Sequence, residues 1–216
     1  MHNPKYTNGF KFTLQPTALE LPLKWKQPRK IFVNSMSDLF HEDMPYWYLR
    51  KCFDVMKKAN WHVFQILTKR PEIMQEFAES YGDIPKHVWM GTSVEMSIYK
   101  RRIEILRNID VKVRFISFEP LLGEIGSVNL EGISWAIVGG ESGPKHRPIE
   151  KKWVKELRHE CRSQNVAFFF KQWGGRTPKS GGRLLDGRTY SEFPADVPNH
   201  SGKPMKIEPL IQLVRN

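Results

Sequence analysis

With 216 residues, 40% of them hydrophobic and 12% aromatic, the chain can fill one large domain or two small ones. No apolar run approaches the roughly 20 residues that span a bilayer, and Met1-His-Asn-Pro-Lys-Tyr6 lacks the apolar stretch of a secretory signal, so the sequence reads as cytoplasmic. Net charge is +11, and residues 1–30 and 171–190 carry +5 and +4 of it, which favours a polyanionic partner, nucleic acid or a nucleotide, over solvated basic ends.

Residues 1–30 read as a basic N-terminal loop and short helix. Asn8-Gly9 marks a turn, and Thr17-Ala-Leu-Glu-Leu21 is predicted to wind until Pro22 stops it. A repeated unit then begins: a short β-rich apolar run, a polar turn, and an amphipathic stretch. The first run, Lys30–Asn34, exits into Ser35-Met-Ser-Asp38, and Pro45 opens a helix carrying Tyr46, Leu49, Phe53 and Met56. The second, His62–Leu67, exits at Thr68-Lys69-Arg70, and Pro71 opens a helix with Ile73, Met74 and Phe77 inward. The third, Val88–Met90, exits at Gly91 to Glu95 and leads to Met96, Tyr99, Ile103 and Leu106. The fourth, Val113–Ile116, exits at Ser117-Phe-Glu119-Pro120, with no clear helix before Gly132.

The fifth run, Trp135–Val138, ends in Gly139-Gly-Glu-Ser-Gly-Pro144, where glycines let backbone amides approach a ligand. Trp153, Leu157 and Cys161 line the helix after Pro148. The sixth, Val166–Phe170, exits at Lys171-Gln-Trp173-Gly-Gly175. Residues 176–216 read as an appendage with a tail; within it, Asp186-Gly187 signals a two-residue hairpin turn.

Six units of this kind over residues 31–175 predict an α/β fold with a parallel sheet covered by helices. An open doubly wound sheet and a barrel both accommodate them. A TIM-barrel-like or partial (βα) barrel is preferred. Every strand ends in polar residues, and barrels build a site from all such ends, whereas an open sheet concentrates chemistry at one switch point.

Six blocks carry a resemblance. They are Ile31-Phe-Val-Asn-Ser-Met-Ser-Asp-Leu-Phe-His41, Phe64-Gln-Ile-Leu-Thr-Lys-Arg70, Trp89-Met-Gly-Thr-Ser-Val-Glu95, Phe118-Glu-Pro-Leu-Leu-Gly123, Val138-Gly-Gly-Glu-Ser-Gly143 and Phe169-Phe-Lys-Gln-Trp-Gly-Gly175. In this order they resemble the phage gene-product 37/68 family of radical-SAM-like, three-cysteine-motif proteins. The resemblance implies a TIM-barrel-like fold, a 4Fe-4S cluster on three cysteines, and S-adenosylmethionine cleaved to a radical that abstracts hydrogen from a substrate. The family's cysteine loop lies upstream of the segment matching Asn3 to Phe10, and this sequence begins just after it. A chain truncated at its start is the favoured explanation; a cluster-less descendant is the other. Only Cys52 and Cys161 are present, on apolar helical stripes, and read as core thiols.

The strand ends supply the candidate site. Glu119, Glu141 and Lys69 are the candidate catalytic groups. Ser35, Asp38, Ser93, Glu95, Ser117, Gly139, Gly140 and Ser142 are the candidate cofactor-binding set. Arg70, Lys171, Gln172 and Trp173 are the candidate substrate contacts. Each has a plainer alternative: Lys69 paired with Glu95 or Glu119 in a closed polar network, serines that only cap turns, and Trp173 as a core-edge aromatic. No metal ligand is assigned, since the seven histidines form no HxxxH or HxH pair. Ser142 lies one residue short of a GxSxG elbow, and no P-loop or Rossmann fingerprint is present. Three functions therefore stand: a radical-SAM-like enzyme, a non-catalytic nucleic-acid-binding protein, and a cluster-independent barrel enzyme acting on a phosphorylated ligand.

Overall fold

The computed structural model describes residues 12–34, 37–177, 180–195, 206–211 and 214–215. The N-terminal segment comprises β1 (Thr13–Leu14), α1 (Pro16–Leu19) and α2 (Leu21–Lys24). Pro22 does not stop a helix. It sits in the first turn of α2, where its missing N–H has no intrahelical acceptor to lose. This segment is fixed to the sheet through His62, whose Nδ1 accepts from the Arg29 amide at 3.1 Å while Nε2 lies 3.0 Å from the Pro22 carbonyl. Burial lowers the His62 pKa and so favours the neutral ring, the form in which one nitrogen accepts and the other donates.

The repeated units then follow: β2 (Arg29–Val33), α3 (Tyr46–Lys58), β3 (Val63–Thr68), α4 (Pro71–Tyr81), β4 (Val88–Ser93), a 3-10 turn (Ser97–Tyr99), α5 (Arg101–Arg107), β5 (Arg114–Phe118), β6 (Trp135–Gly139), α6 (Lys151–Ser163) and β7 (Ala167–Gln172). Strands β2 to β7 pair parallel, each beside the next in sequence. That order never reverses, so there is no doubly wound switch point. Winding in one direction puts all the crossover helices on one face. The result is a curled parallel sheet, half of a barrel.

The convex face buries Ile31, Val33, Phe64, Ile66, Met90, Ile116, Val138 and Phe170 against the helices in one continuous core. On α3 the buried stripe is Tyr48, Leu49, Cys52, Phe53 and Met56; Tyr46, expected inward, is 47% exposed. The concave face holds a second, smaller cluster of Val63, Trp89, Val113, Phe115 and Trp135. Gly91 belongs to it. A Cβ there would lie 2.6 Å from the Phe115 ring, so the glycine makes room for an aromatic on the next strand.

The C-terminal segment is more than an appendage. Asp186-Gly187 forms the predicted turn, with Leu185 and Arg188 exchanging backbone hydrogen bonds. Ser191 bridges Phe169 along the free side of β7. Strand β8 (Lys206–Ile211) pairs parallel with β2 on the opposite edge, and β9 (Val214–Arg215) pairs antiparallel with β1.

Candidate functional site

Because strand residues alternate between faces, the concave side collects Phe32 from β2, Gln65 and Leu67 from β3, Ser93 from β4, Ser117 from β5, Ile137 from β6 and Phe169 and Lys171 from β7. All of these line one cavity of about 900 Å³. Its floor is aromatic. Phe193 arrives from beyond β7, stacks on Trp135 at 5.0 Å between centroids, and meets Phe169 edge-on at 5.7 Å. Its rim, at the carboxyl ends of the strands, is charged.

Three carboxylates organise that rim. Asp38 accepts from Thr68 Oγ1 at 2.7 Å, the Phe40 amide at 2.9 Å and Arg70 Nη1 at 3.1 Å, tying the loop after β2 to the end of β3. Glu95, only 4% exposed, is clamped by Lys69 Nζ at 2.5 Å and Arg102 Nη1 at 3.0 Å; Arg102 also donates to the Ser93 carbonyl. Glu119 lies across Gly139, where a Cβ would come within 3.2 Å of its Oε1, and it takes Lys171 Nζ at 3.0 Å. A buried carboxylate is tolerable only when paired in this way. Lys69 and Lys171 remain 58% and 52% exposed, so both keep a face toward solvent.

The Gly-Gly-Glu-Ser turn does a different job. Gly140 has no room for a side chain: a Cβ would sit 2.1 Å from the Trp173 carbonyl oxygen. Gln172 donates to Ser142 Oγ at 2.9 Å, and Trp173 donates to the Leu184 carbonyl while packing on Phe170. Glu141 turns outward to Arg147, which donates from its amide, Nε and Nη2 at 2.7–2.9 Å. Those bonds to the charged form hold the Glu141 carboxyl down to about 2.

A family model described as "Protein of unknown function (DUF5131)" matches residues 1–194. The chain belongs to that family. No curated protein and no solved structure matches.

In this DUF5131 chain the expected site residues separate into groups. Asp38, Lys69, Arg70, Ser93, Ser117, Glu119 and Lys171 line the cavity together. Glu95 is drawn in behind Lys69 rather than into the lining, and the Lys69–Glu95 pair anticipated as a closed network is present. Gly139 and Gly140 act through their lack of a side chain. Glu141, Ser142, Gln172 and Trp173 serve the β6–β7 junction outside the lining. Ser35 lies outside the described residues. Sequence reasoning missed Phe193, Gln65 and Lys30 as lining residues. Period-two alternation within Lys30-Ile-Phe-Val-Asn34 carried a signal for Lys30; nothing local signals Phe193.

The donor set does not fit a 4Fe-4S cluster. The chain has two cysteines, and three thiolates are required. Cys52 and Cys161 are fully buried in the convex core on α3 and α6. Burial pushes both thiols up, Cys161 to about 12, which favours the unreactive protonated form. Among the described residues no group of three His, Cys, Asp or Glu is placed to hold a metal ion.

Proposed function

We propose that the concave cavity binds a nucleotide-like ligand, a flat ring system on the aromatic floor and an anionic end at the rim. The observation that carries this reading is the pairing, in one cavity, of Phe32, Trp135, Phe169 and Phe193 with two half-exposed lysines, Lys69 and Lys171. Aromatic faces stack on bases of any identity, and lysines bind phosphate as point charges. An entering phosphate would draw Lys171 from Glu119, freeing that carboxylate to accept a ribose hydroxyl.

The unreversed strand order supports a TIM-barrel-like ancestry for the half-barrel. The resemblance to the phage gene-product 37/68 family points the same way, since S-adenosylmethionine is itself a nucleoside. Because the cluster does not fit the cysteines of this chain, no radical step is assigned to it. The function that the cavity lining supports is that of a barrel-mouth protein acting on a phosphorylated or nucleoside ligand. The alternative of a polyanion surface is less favoured because Arg183, a cation of the basic C-terminal run, is engaged by the backbone carbonyls of Phe170 and Tyr190.

Calorimetric titration with AMP, ATP, S-adenosylmethionine and inorganic phosphate tests the proposal. A saturable isotherm with at least one nucleoside is expected, weakened about tenfold by Lys171→Ala, the loss of one charge-assisted contact. Lys57→Ala, on the exposed side of α3, should leave it unchanged. Absence of binding by all three nucleosides at millimolar concentration would sink the reading. So would equal weakening by Lys57→Ala, which would indicate diffuse charge attraction.

A further inference from the structure

We propose that Lys30 is a nucleophilic amine in the cavity floor that condenses with a small aldehyde or ketone bearing an aromatic or apolar body. Ile31 and Val33 are fully buried on the helix side of β2, so alternation places Lys30 and Phe32 on the concave side, and both line the cavity. Lys30 lies four residues, about 13 Å, below the rim along the strand. Its Nζ sits 3.8 Å over the centre of the Phe193 ring, in the part of the cavity walled by Trp135 and Phe169.

What distinguishes it from the rim lysines is the company it keeps. Lys69 and Lys171 each meet a carboxylate. Lys30 has no acidic partner among the described residues; an aromatic face replaces it. Apolar surroundings disfavour an ammonium, and burial accordingly lowers the Lys30 pKa from the ordinary lysine value. Desolvation without a counter-ion is a recognised route to a reactive lysine. The apolar walls that lower the basicity would also seat the body of the carbonyl compound.

The step balances without an oxidant or reductant. The Nζ lone pair attacks the carbonyl carbon, forming a C–N bond as the C=O electrons move to oxygen. A proton passes from nitrogen to that oxygen. The hydroxyl then takes a proton from solvent and leaves as water while the nitrogen lone pair closes the C=N bond, and the proton still on nitrogen returns to solvent. The anion site at the rim is not required.

A phenyl-substituted 1,3-diketone, which carries no phosphate and forms a near-ultraviolet-absorbing enaminone with a neutral amine, tests this on the full chain. Peptide mapping should find the adduct on Lys30 forming about tenfold faster than on the exposed Lys57 or Lys58. Lys30→Arg keeps the charge and the contact with Phe193 but has no such nucleophile, and should lose the fast absorbance change. Lys30→Met, which removes the amine and keeps the apolar stem, should lose it as well; should that variant fail to fold, Lys30→Arg still decides the matter. Labelling of Lys30 no faster than Lys57, or fast labelling that persists in Lys30→Arg, overturns the proposal. The nucleotide titration is a separate readout: it can fail while Lys30 labels, and the converse.

Discussion

Glu141 is held in its charged form by three donors from Arg147, and its behaviour with pH follows from that. The folded-state pKa, about 2, lies below the ordinary 4.5. A depressed carboxylate stabilises the fold above its unfolded value, and this stabilisation disappears as pH falls through the folded value. We therefore expect the stability of the wild-type chain to fall between about pH 4.5 and pH 2 partly through this group, and that fall to be smaller in Glu141→Gln. Urea denaturation at neutral pH and across that window measures it. The pair is solvent-exposed, so the effect should be small and shrink in salt. Gly140 gives a larger one. Alanine there would drive a methyl group into the Trp173 carbonyl and against Ile149. Overpacking of this kind costs about 1–3 kcal/mol, a drop in Tm of roughly 3–10 °C for a chain of this size. An unchanged Tm in Gly140→Ala would mean that the β6–β7 junction is looser than described.

Among the elements, α4 owes its place to Phe77, which meets Phe53 at 4.6 Å, Tyr81 at 5.4 Å and Phe40 at 5.9 Å between ring centroids. Phe77→Ala should cost about 3–5 kcal/mol, read as a lower urea midpoint at an unchanged slope. An inward Phe77 was legible in the sequence because Met74 and Phe77 repeat at helical spacing, and the six central strands were legible because each apolar run ends in a polar turn. Tyr46 was misread and Tyr48 missed, since spacing fixes a stripe but not the angle at which a helix meets its sheet. The cations of the rim could be read from strand ends, and Lys69 with Glu95 was among the pairings anticipated; Arg70 with Asp38 and Lys171 with Glu119 were not. Glu95 takes Arg102 from α5, a contact set by the closeness of that helix to β4 rather than by any local pattern. Phe193 was invisible for the same reason: it enters the cavity from a segment whose sequence reads as a turn-rich tail.

At the scale of the whole molecule, a half-barrel has a difficulty a closed barrel does not: two exposed strand edges, each a row of unpaired backbone groups ready to template another chain. Here the C-terminal segment meets both. On the β7 side, Phe170 donates to the Tyr190 carbonyl and Glu192 donates to the Phe168 carbonyl. On the β2 side, β8 continues the parallel ladder from Arg29 opposite Lys206 to Val33 opposite Ile211, with one register shift. The two covers are separable in sequence, which makes them separable by experiment. A chain ending at Ala195 keeps the contacts on β7 and loses β8, leaving the outer edge of β2 unpaired while β3 still holds the inner one. We expect this shortened chain to unfold at lower temperature and to self-associate as concentration rises, seen as a mass increase by light scattering during size exclusion. Its high positive charge opposes association at low salt, so the increase should sharpen as salt screens that repulsion. A lysine placed at Phe32, on the concave side, would not rescue it, whereas a proline at the same position, whose N–H faces the β8 side because that of Arg29 turns to His62 beside β3, should reduce association at a cost in stability by removing an edge donor. A shortened chain that stays monomeric with an unaltered Tm would show that β2 needs no partner, and that the curl of the sheet alone keeps its edge from pairing.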